Sequence, residues 1–170
     1  MALILLRHTT PDVAPGTCYG RTDLDVADTF EDEARTAAAA LPVFGKIVSS
    51  PLRRCRRLAA FVGAEAGLEV ASDPRLIEMD FGSWEGRPWA DIPRAELDAW
   101  AGDFMHARPH GGESVAMLHA RTLKALADHR SQDGPALLVT HSGVIKAALA
   151  TEETAAGFAT NIDFGHFVTV

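Results

Sequence analysis

Two histidines follow directly after apolar runs that lie far apart in the chain. The first run, Leu3 to Leu6, is followed by Arg7 and His8, and the second, Ala136 to Thr140, is followed by His141. The carboxyl ends of strands in a parallel α/β sheet meet in one crevice, so we expect these side chains to face each other. A guanidinium group matches phosphate oxygens with a planar fork of donors, and a neutral imidazole can act as a nucleophile. The spacing therefore predicts a crevice that binds a phosphate ester.

The composition is that of a globular chain with an acidic balance. Its 170 residues are 47% hydrophobic, which is ample for one buried core, and we expect a single domain over residues 1–170. The formal net charge of -7 disfavours a nucleic-acid partner, because binding to a phosphate backbone needs a basic field. Positive charge is nevertheless concentrated in one segment, at Arg53, Arg54, Arg56 and Arg57. The expected partner is a small phosphorylated metabolite, although most of these arginines also suit the solvated face of a helix.

The chain start, the cysteines and the histidines predict a cytoplasmic protein without membrane contact or metal. The first apolar run ends at Arg7 and has no basic leader, so it is too short for a signal sequence or a membrane span. Cys18 and Cys55 lie in separate segments, which argues against a disulfide framework or a thiolate metal site. His106 and His110 have i, i+4 spacing, but a proline and a glycine beside His110 interrupt any helix that would align them.

Strand patterns and helix patterns alternate along the chain, as in an α/β fold with a parallel sheet. The predicted strands cover residues 2–6, 46–49, 68–71, 136–140 and 166–170. The predicted helices cover residues 31–41, 52–66, 112–130 and 144–150. Residues 73–110 have an irregular pattern with four prolines and three tryptophans, which predicts an insertion that could form a lid.

Five short motifs occur in order along almost the whole chain. They are Leu6-Arg7-His8-Thr9, Ser50-Pro51-Leu52-Arg53-Arg54-Cys55, residues 78–86, Gly111-Gly112-Glu113-Ser114 and residues 140–145. In this order they resemble the signature blocks of the histidine phosphatase superfamily. The resemblance implies a phosphoglycerate-mutase-like fold, a three-layer α/β/α sandwich with a mostly parallel central sheet. It also implies a metal-independent phosphomonoesterase that needs no cofactor.

Within the superfamily, one segment and one motif look most like the α-ribazole phosphatases of cobalamin biosynthesis. The segment is Cys18-Tyr19-Gly20-Arg21-Thr22-Asp23-Leu24-Asp25-Val26, and the motif is Gly-Gly-Glu-Ser at residues 111–114. This narrower resemblance implies α-ribazole 5'-phosphate as the substrate.

The superfamily resemblance assigns catalytic roles to five side chains. His8 falls on the nucleophile that forms a phosphohistidine, and Arg7 and Arg54 fall on the phosphate clamp. His141 falls on the second histidine of the pocket, and Glu78 on the general acid that protonates the leaving alkoxide and then activates water. His8 must be neutral at its attacking nitrogen, so its other ring nitrogen is expected to donate to a backbone carbonyl.

Alternatives remain for two of these assignments. Arg53 stands beside Arg54, although only Arg54 completes the Ser-x-Leu-x-Arg spacing of the family. Asp80 and Glu85 compete with Glu78 for the role of general acid, because a carboxylate near an arginine can equally form a plain ion pair.

Further contacts to the substrate are expected from five residues outside the catalytic set. The hydroxyls of Thr9 and Ser142 could donate to phosphate, and Thr9 stands where the family motif has glycine. The leaving group would meet the segment that contains Tyr19, Gly20 and Arg21.

Three functions remain open at this point. The first is a phosphatase for a small metabolite. The second is the same chemistry with another specificity, as a mutase or as a phosphatase for sugar phosphates or phosphoproteins. A mutase must keep and return the phosphoryl group, which needs extra cations and a lid that excludes water, and this chain is short for that. The third is a non-catalytic phosphate-binding domain, which the presence of all five catalytic residue types disfavours. The oligomeric state stays open.

Overall fold

Strands and helices alternate along most of the chain in the computed structural model, which describes residues 2–130 and 134–170. The strands are β1 Leu3–Arg7, β2 Lys46–Ser49, β3 Val70–Ser72, β4 Ala136–Thr140 and β5 Phe167–Thr169. The helices are α1 Phe30–Ala40, α2 Arg53–Ala66, α3 Arg94–Gly102, α4 Val115–His129 and α5 Ser142–Leu149. Within the described ranges, none of these helices has the length and apolarity needed to cross a bilayer.

The strands form one mixed sheet with the order β3-β2-β4-β1-β5. β4 pairs in parallel with both β1 and β2, and β2 pairs in parallel with β3. Only β5 is antiparallel among the described strands, and it lies at the edge beside β1. The predicted α/β fold with a mostly parallel sheet is therefore confirmed.

The alternation of side chains along β1 explains why helices cover both faces of the sheet. Leu3 and Leu5 point to one face, where they join a buried cluster with residues of α4 and α5. Ile4 and Leu6 point to the other face and join a cluster with residues of α1 and α2. Because a fully buried parallel strand is apolar on both faces, its sequence is a continuous hydrophobic run. The predicted three-layer sandwich is confirmed by this arrangement.

The segment 73–110 contains more helix than its irregular sequence pattern predicts. It includes α3 and three short 3-10 helices, at Pro74–Leu76, Gly82–Trp84 and Trp89–Asp91. α3 begins directly after Pro93, whose fixed φ is compatible with a helix start. Trp84 is fully buried, and its indole N–H donates to Glu96 of α3 at 2.6 Å. A local sequence pattern cannot indicate this tertiary hydrogen bond, so α3 was not predicted. The role of the segment as a lid stays a prediction.

Capping interactions account for two boundaries that differ from the sequence prediction. The predicted strand at 68–71 begins later, at Val70, because the Leu68 amide donates to the Gly63 carbonyl and closes α2. Gly67 supports this helix end with a φ of 67°, a left-handed conformation that favours glycine. The predicted helix at 112–130 begins at residue 115, because the Ser114 hydroxyl accepts from the amide of Met117 and caps α4.

Candidate active site

The register of the central strands brings both histidines to the same edge of the sheet. Arg7 pairs with Thr140, so His8 and His141 follow side by side, and their ring centroids are 5.2 Å apart. Ser50 follows β2 at this edge, and its hydroxyl oxygen lies 2.8 Å from Nε2 of His141. The two imidazoles meet as the sequence spacing predicts.

His8 has the tautomer that a nucleophilic imidazole requires. Its Nδ1 lies 2.7 Å from the carbonyl oxygen of Thr9, and because a carbonyl can only accept, Nδ1 carries the proton. Nε2 therefore keeps its lone pair, and it has no hydrogen-bond partner within the described ranges. Burial lowers the pKa of His8 well below its usual value, and the positive charges of Arg54 and Arg7 lower it further. The imidazole is consequently neutral in the folded protein.

His141 is fully buried and is held by two side chains that the sequence prediction did not include in the site. Ser50 contacts its Nε2, and Sγ of Cys55 lies 3.4 Å from the same nitrogen. Burial lowers the pKa of His141 well below its usual value, and the adjacent His8 and Arg54 contribute in the same direction. Burial raises the pKa of Cys55, so its thiol stays protonated. Ser50 and Cys55 are the two ends of the second family-like motif, but nothing in the sequence indicates that either side chain reaches His141.

Arg7 and Arg54 carry positive charge outside any close ion pair, and Glu78 and Asp163 act on Arg7 only from beyond ion-pair distance. The terminal nitrogens of Arg54 donate to the carbonyls of Gly20 and Thr22 at 2.7 Å, and Arg7 donates to the carbonyl of Ile162 at 2.6 Å. The Nε atoms of both arginines are buried without a hydrogen-bond partner in the described part of the chain. Neither side chain forms an ion pair with a described carboxylate. Because a buried unpaired charge is costly, this arrangement favours binding of an anion.

Two aromatic rings pack against these guanidinium groups. The ring of Phe164 lies 3.9 Å from the guanidinium carbon of Arg7, and the Tyr19 ring lies 5.2 Å from that of Arg54. Such cation–π contacts stabilise a charged group without neutralising it. Burial lowers the pKa of Arg7 and raises the pKa of Tyr19. Phe164 also lies 5.6 Å from His8, and it was missed because its loop has no periodic pattern.

Glu85, considered above as an alternative general acid, holds the loop that binds Arg54. Its Oε1 accepts from the amides of Gly20 and Thr22, at 3.0 and 2.7 Å, and from the Thr22 hydroxyl at 2.7 Å. The carbonyls of the same two residues bind Arg54, so both backbone polar groups of Gly20 are engaged within the protein. A Cβ on Gly20 would lie 1.9 Å from the Met79 carbonyl oxygen, which explains the need for glycine.

Glu78 is held against the first turn of α5. Its Oε1 accepts from the amide of Met79 at 2.8 Å, and its Oε2 accepts from the amide of Gly143 at 3.0 Å. The amide groups at a helix N-terminus favour negative charge, so this is a suitable place for a carboxylate. A Cβ on Gly143 would lie 2.2 Å from Oε1 of Glu78, so only glycine permits this approach.

A buried ion pair positions the backbone on the other side of Glu78. Arg121 binds Glu113 at 2.7 Å and donates to the carbonyls of Glu78 and Arg75, at 3.1 and 2.6 Å. Arg21, a predicted substrate contact, lies 3.8 Å from Glu113 with 44% of its side chain exposed. Arg21 therefore contacts Glu113 and does not contact His8 or His141.

The remaining predicted residues fall into two groups. Thr9 is buried, and its hydroxyl has no partner among the described residues, so it can donate to a bound anion. Ser142 begins α5 and lines a cavity beside Glu78. In contrast, Arg53 is exposed and pairs with Asp25 at 3.3 Å. Across residues 2–130 and 134–170, no group of three His, Cys, Asp or Glu side chains is arranged to hold a metal ion.

The fold and this edge of the sheet define an α/β protein with a site for an oxyanion such as phosphate. The site combines the buried guanidinium group of Arg54, the half-buried one of Arg7, a neutral imidazole with a free lone pair and a nearby carboxylate. A family model for the histidine phosphatase superfamily (branch 1) matches residues 3–163. The chain belongs to this superfamily, and it is a phosphoric monoester hydrolase.

Three relatives illustrate the range of this similarity. Glucosyl-3-phosphoglycerate phosphatase of Mycobacterium tuberculosis is 36% identical, over 87% of this chain and 73% of that protein. Adenosylcobalamin/alpha-ribazole phosphatase of Escherichia coli is 30% identical, over 63% of this chain and 55% of that protein. The native structure of a mycobacterial glucosyl-3-phosphoglycerate phosphatase superposes with a TM-score of 0.82 at 32% identity, covering 99% of this chain and 88% of that one. The predicted superfamily is confirmed, whereas the α-ribazole substrate is not.

The lowered pKa values of His8 and His141 predict a loss of stability in mild acid. Below pH ~6.5 the unfolded chain takes up protons at both histidines, and the folded protein does not. These two histidines should therefore lower the free energy of unfolding by up to roughly 2.7 kcal/mol per pH unit below that point. Urea denaturation between pH 7 and 5.5, in buffers without phosphate, measures this slope.

Two matched variants test which histidines cause the dependence of the free energy of unfolding on pH. His141→Gln should remove one histidine's share of the pH dependence, up to about 1.4 kcal/mol per pH unit, while His8 and His110, whose pKa burial also lowers, keep theirs. His166→Gln, at an exposed histidine, should leave the slope as in the wild type. Equal slopes in all three proteins would contradict the assignment to the buried pair.

Proposed function

We propose that this phosphatase hydrolyses a small phosphorylated metabolite through a phosphohistidine on His8, without a metal ion. The observation that carries this proposal is the buried guanidinium group of Arg54 and the half-buried one of Arg7, neither in an ion pair with a described carboxylate, beside a neutral imidazole. A phosphate ester supplies the negative charge that this pocket lacks. The free lone pair of Nε2 supplies the nucleophile.

In the first step, Nε2 of His8 attacks the phosphorus atom. A P–N bond forms while the P–O bond to the alcohol breaks, and the leaving oxygen takes a proton from Glu78. Charge builds on the phosphoryl oxygens during transfer, and Arg7 and Arg54 stabilise it from positions set before the reaction begins. The hydroxyl of Thr9 donates to one of these oxygens.

In the second step, water hydrolyses the phosphohistidine. The Glu78 carboxylate removes a proton from a water molecule as its oxygen attacks phosphorus, and the P–N bond breaks. His8 returns to its neutral form, Glu78 is protonated again, and inorganic phosphate leaves. One carboxyl group thus serves as acid in the first step and as base in the second.

The phosphohistidine predicts a trappable covalent intermediate. Wild-type protein mixed with a 32P-labelled phosphomonoester in EDTA and quenched in base should carry label that is lost in acid, as expected for a P–N bond. His8→Ala should carry no label and should lose at least ~10³-fold in turnover, because the covalent route is removed. Circular dichroism of both proteins checks the fold. Label on His8→Ala, or a loss of wild-type turnover in EDTA, would refute the mechanism.

The acid role of Glu78 predicts a dependence on the leaving group. Glu78→Gln should slow alkyl phosphate hydrolysis by about 10²-fold or more, because an alkoxide needs a proton as it leaves. Hydrolysis of p-nitrophenyl phosphate should slow much less, because nitrophenolate is a good leaving group. Glu85→Gln tests the alternative acid and should affect both esters to a similar degree. Equal slowing of both esters by Glu78→Gln would exclude the acid role.

We further propose a substrate with a carboxylated alcohol, such as glucosyl-3-phosphoglycerate, ahead of α-ribazole 5'-phosphate. The higher sequence identity of the mycobacterial relative supports this order, whereas the Cys18 to Val26 motif supports the ribazole ester. Phosphate release from both esters at matched concentrations compares them directly. We expect the larger kcat/KM for glucosyl-3-phosphoglycerate, and a preference for the ribazole ester would reverse the proposal.

A further inference from the structure

A cavity of about 270 Å³ opens beside Glu78. Glu78 and Ser142 are part of its wall, so it begins where the leaving oxygen of a phosphate ester on His8 would lie. The rest of the wall is largely apolar and contains the aromatic side chains of Phe81, Trp100, Phe104 and Phe158. At ~30 Å³ per water, the cavity has room for about nine water-sized groups, which is more than a phosphoryl group needs.

Lys146 is the cationic side chain of this wall. It follows Ser142 by four residues in α5, so both side chains lie on the same face of the helix. Lys146 has no ion pair or side-chain hydrogen bond with any residue in the described ranges. The carboxylate that shares this wall is that of Glu78, and both of its oxygens accept backbone amides. Lys146 is half-buried, so its ammonium group can reach an anion bound in the cavity with a charge-assisted hydrogen bond.

We propose that this cavity binds the alcohol part of the substrate and that Lys146 binds a carboxylate on that alcohol; this inference rests on the proposed function. A lysine presents one compact positive charge, which matches a monoanion. A second phosphate would need more positive charge than Lys146 supplies. The aromatic walls pack against the carbon skeleton or the apolar face of a sugar ring. Lys146 is therefore a specificity-determining residue for carboxylated phosphomonoesters.

Two commercial esters of nearly the same shape isolate the carboxylate. 3-Phosphoglycerate carries a carboxylate where glycerol 3-phosphate carries a hydroxymethyl group. Their dissociation constants can be measured by calorimetry on His8→Ala, which cannot turn them over, so the result does not depend on catalysis. We expect 3-phosphoglycerate to bind ~10-fold or more tightly than glycerol 3-phosphate, as for a hydrogen bond to a charged group.

Lysine variants made in the His8→Ala protein then test whether Lys146 causes the preference for 3-phosphoglycerate. Lys146→Met should reduce the ratio of the two dissociation constants to about one, and Lys146→Arg should keep most of it, because the charge is retained. Lys124→Met, at an exposed lysine of α4, is the matched control and should keep the full ratio. A wild-type ratio near one, or a ratio unchanged in Lys146→Met, would overturn the inference. Failure of the phosphohistidine mechanism would instead appear as absent label on the wild-type protein.

Discussion

The rest of the site depends on one constraint, which is that the positive charge of Arg54 is buried. Moving a guanidinium group out of water costs several kcal/mol, and that cost must be offset within the fold. The carbonyls of Gly20 and Thr22 and the ring of Tyr19 offset part of it without adding negative charge. The remaining positive potential is available to a phosphate. It also acts on His8, whose pKa is lowered chiefly by burial and further by Arg54, so the imidazole stays neutral.

The carboxylates around the site act mainly on the backbone and on other arginines. Glu85 binds the amides of the loop whose carbonyls hold Arg54, and Glu113 pairs with Arg121 beside the Glu78 backbone. A carboxylate placed directly on Arg54 would neutralise the charge that attracts the substrate. By binding amides instead, Glu85 positions the arginine and leaves its charge unpaired. The fixed position of Arg54 and its unpaired charge thus have the same structural origin.

Much of the architecture could be predicted from sequence, because its signals are local. The continuous apolar runs identified the buried strands β1 and β4, and the positions of His8 and His141 after them predicted their meeting. The Ser-x-Leu-x-Arg spacing selected Arg54 over Arg53, and it is Arg54 that is buried. Helix α3 was missed because its sequence has no clear apolar face and a tertiary contact to Trp84 stabilises it.

The sequence by itself determined the α/β order, the superfamily and the residue types that meet at the sheet edge. The α/β order and the meeting of these residue types follow from periodicity and spacing along the chain, whereas the superfamily follows from the resemblance of five ordered motifs. Only the tertiary structure decided that Phe164 packs on Arg7, that Ser50 contacts His141 and that Lys146 joins an aromatic cavity beside Glu78. Such contacts join residues from different elements, and they depend on side-chain packing and desolvation that no local pattern encodes.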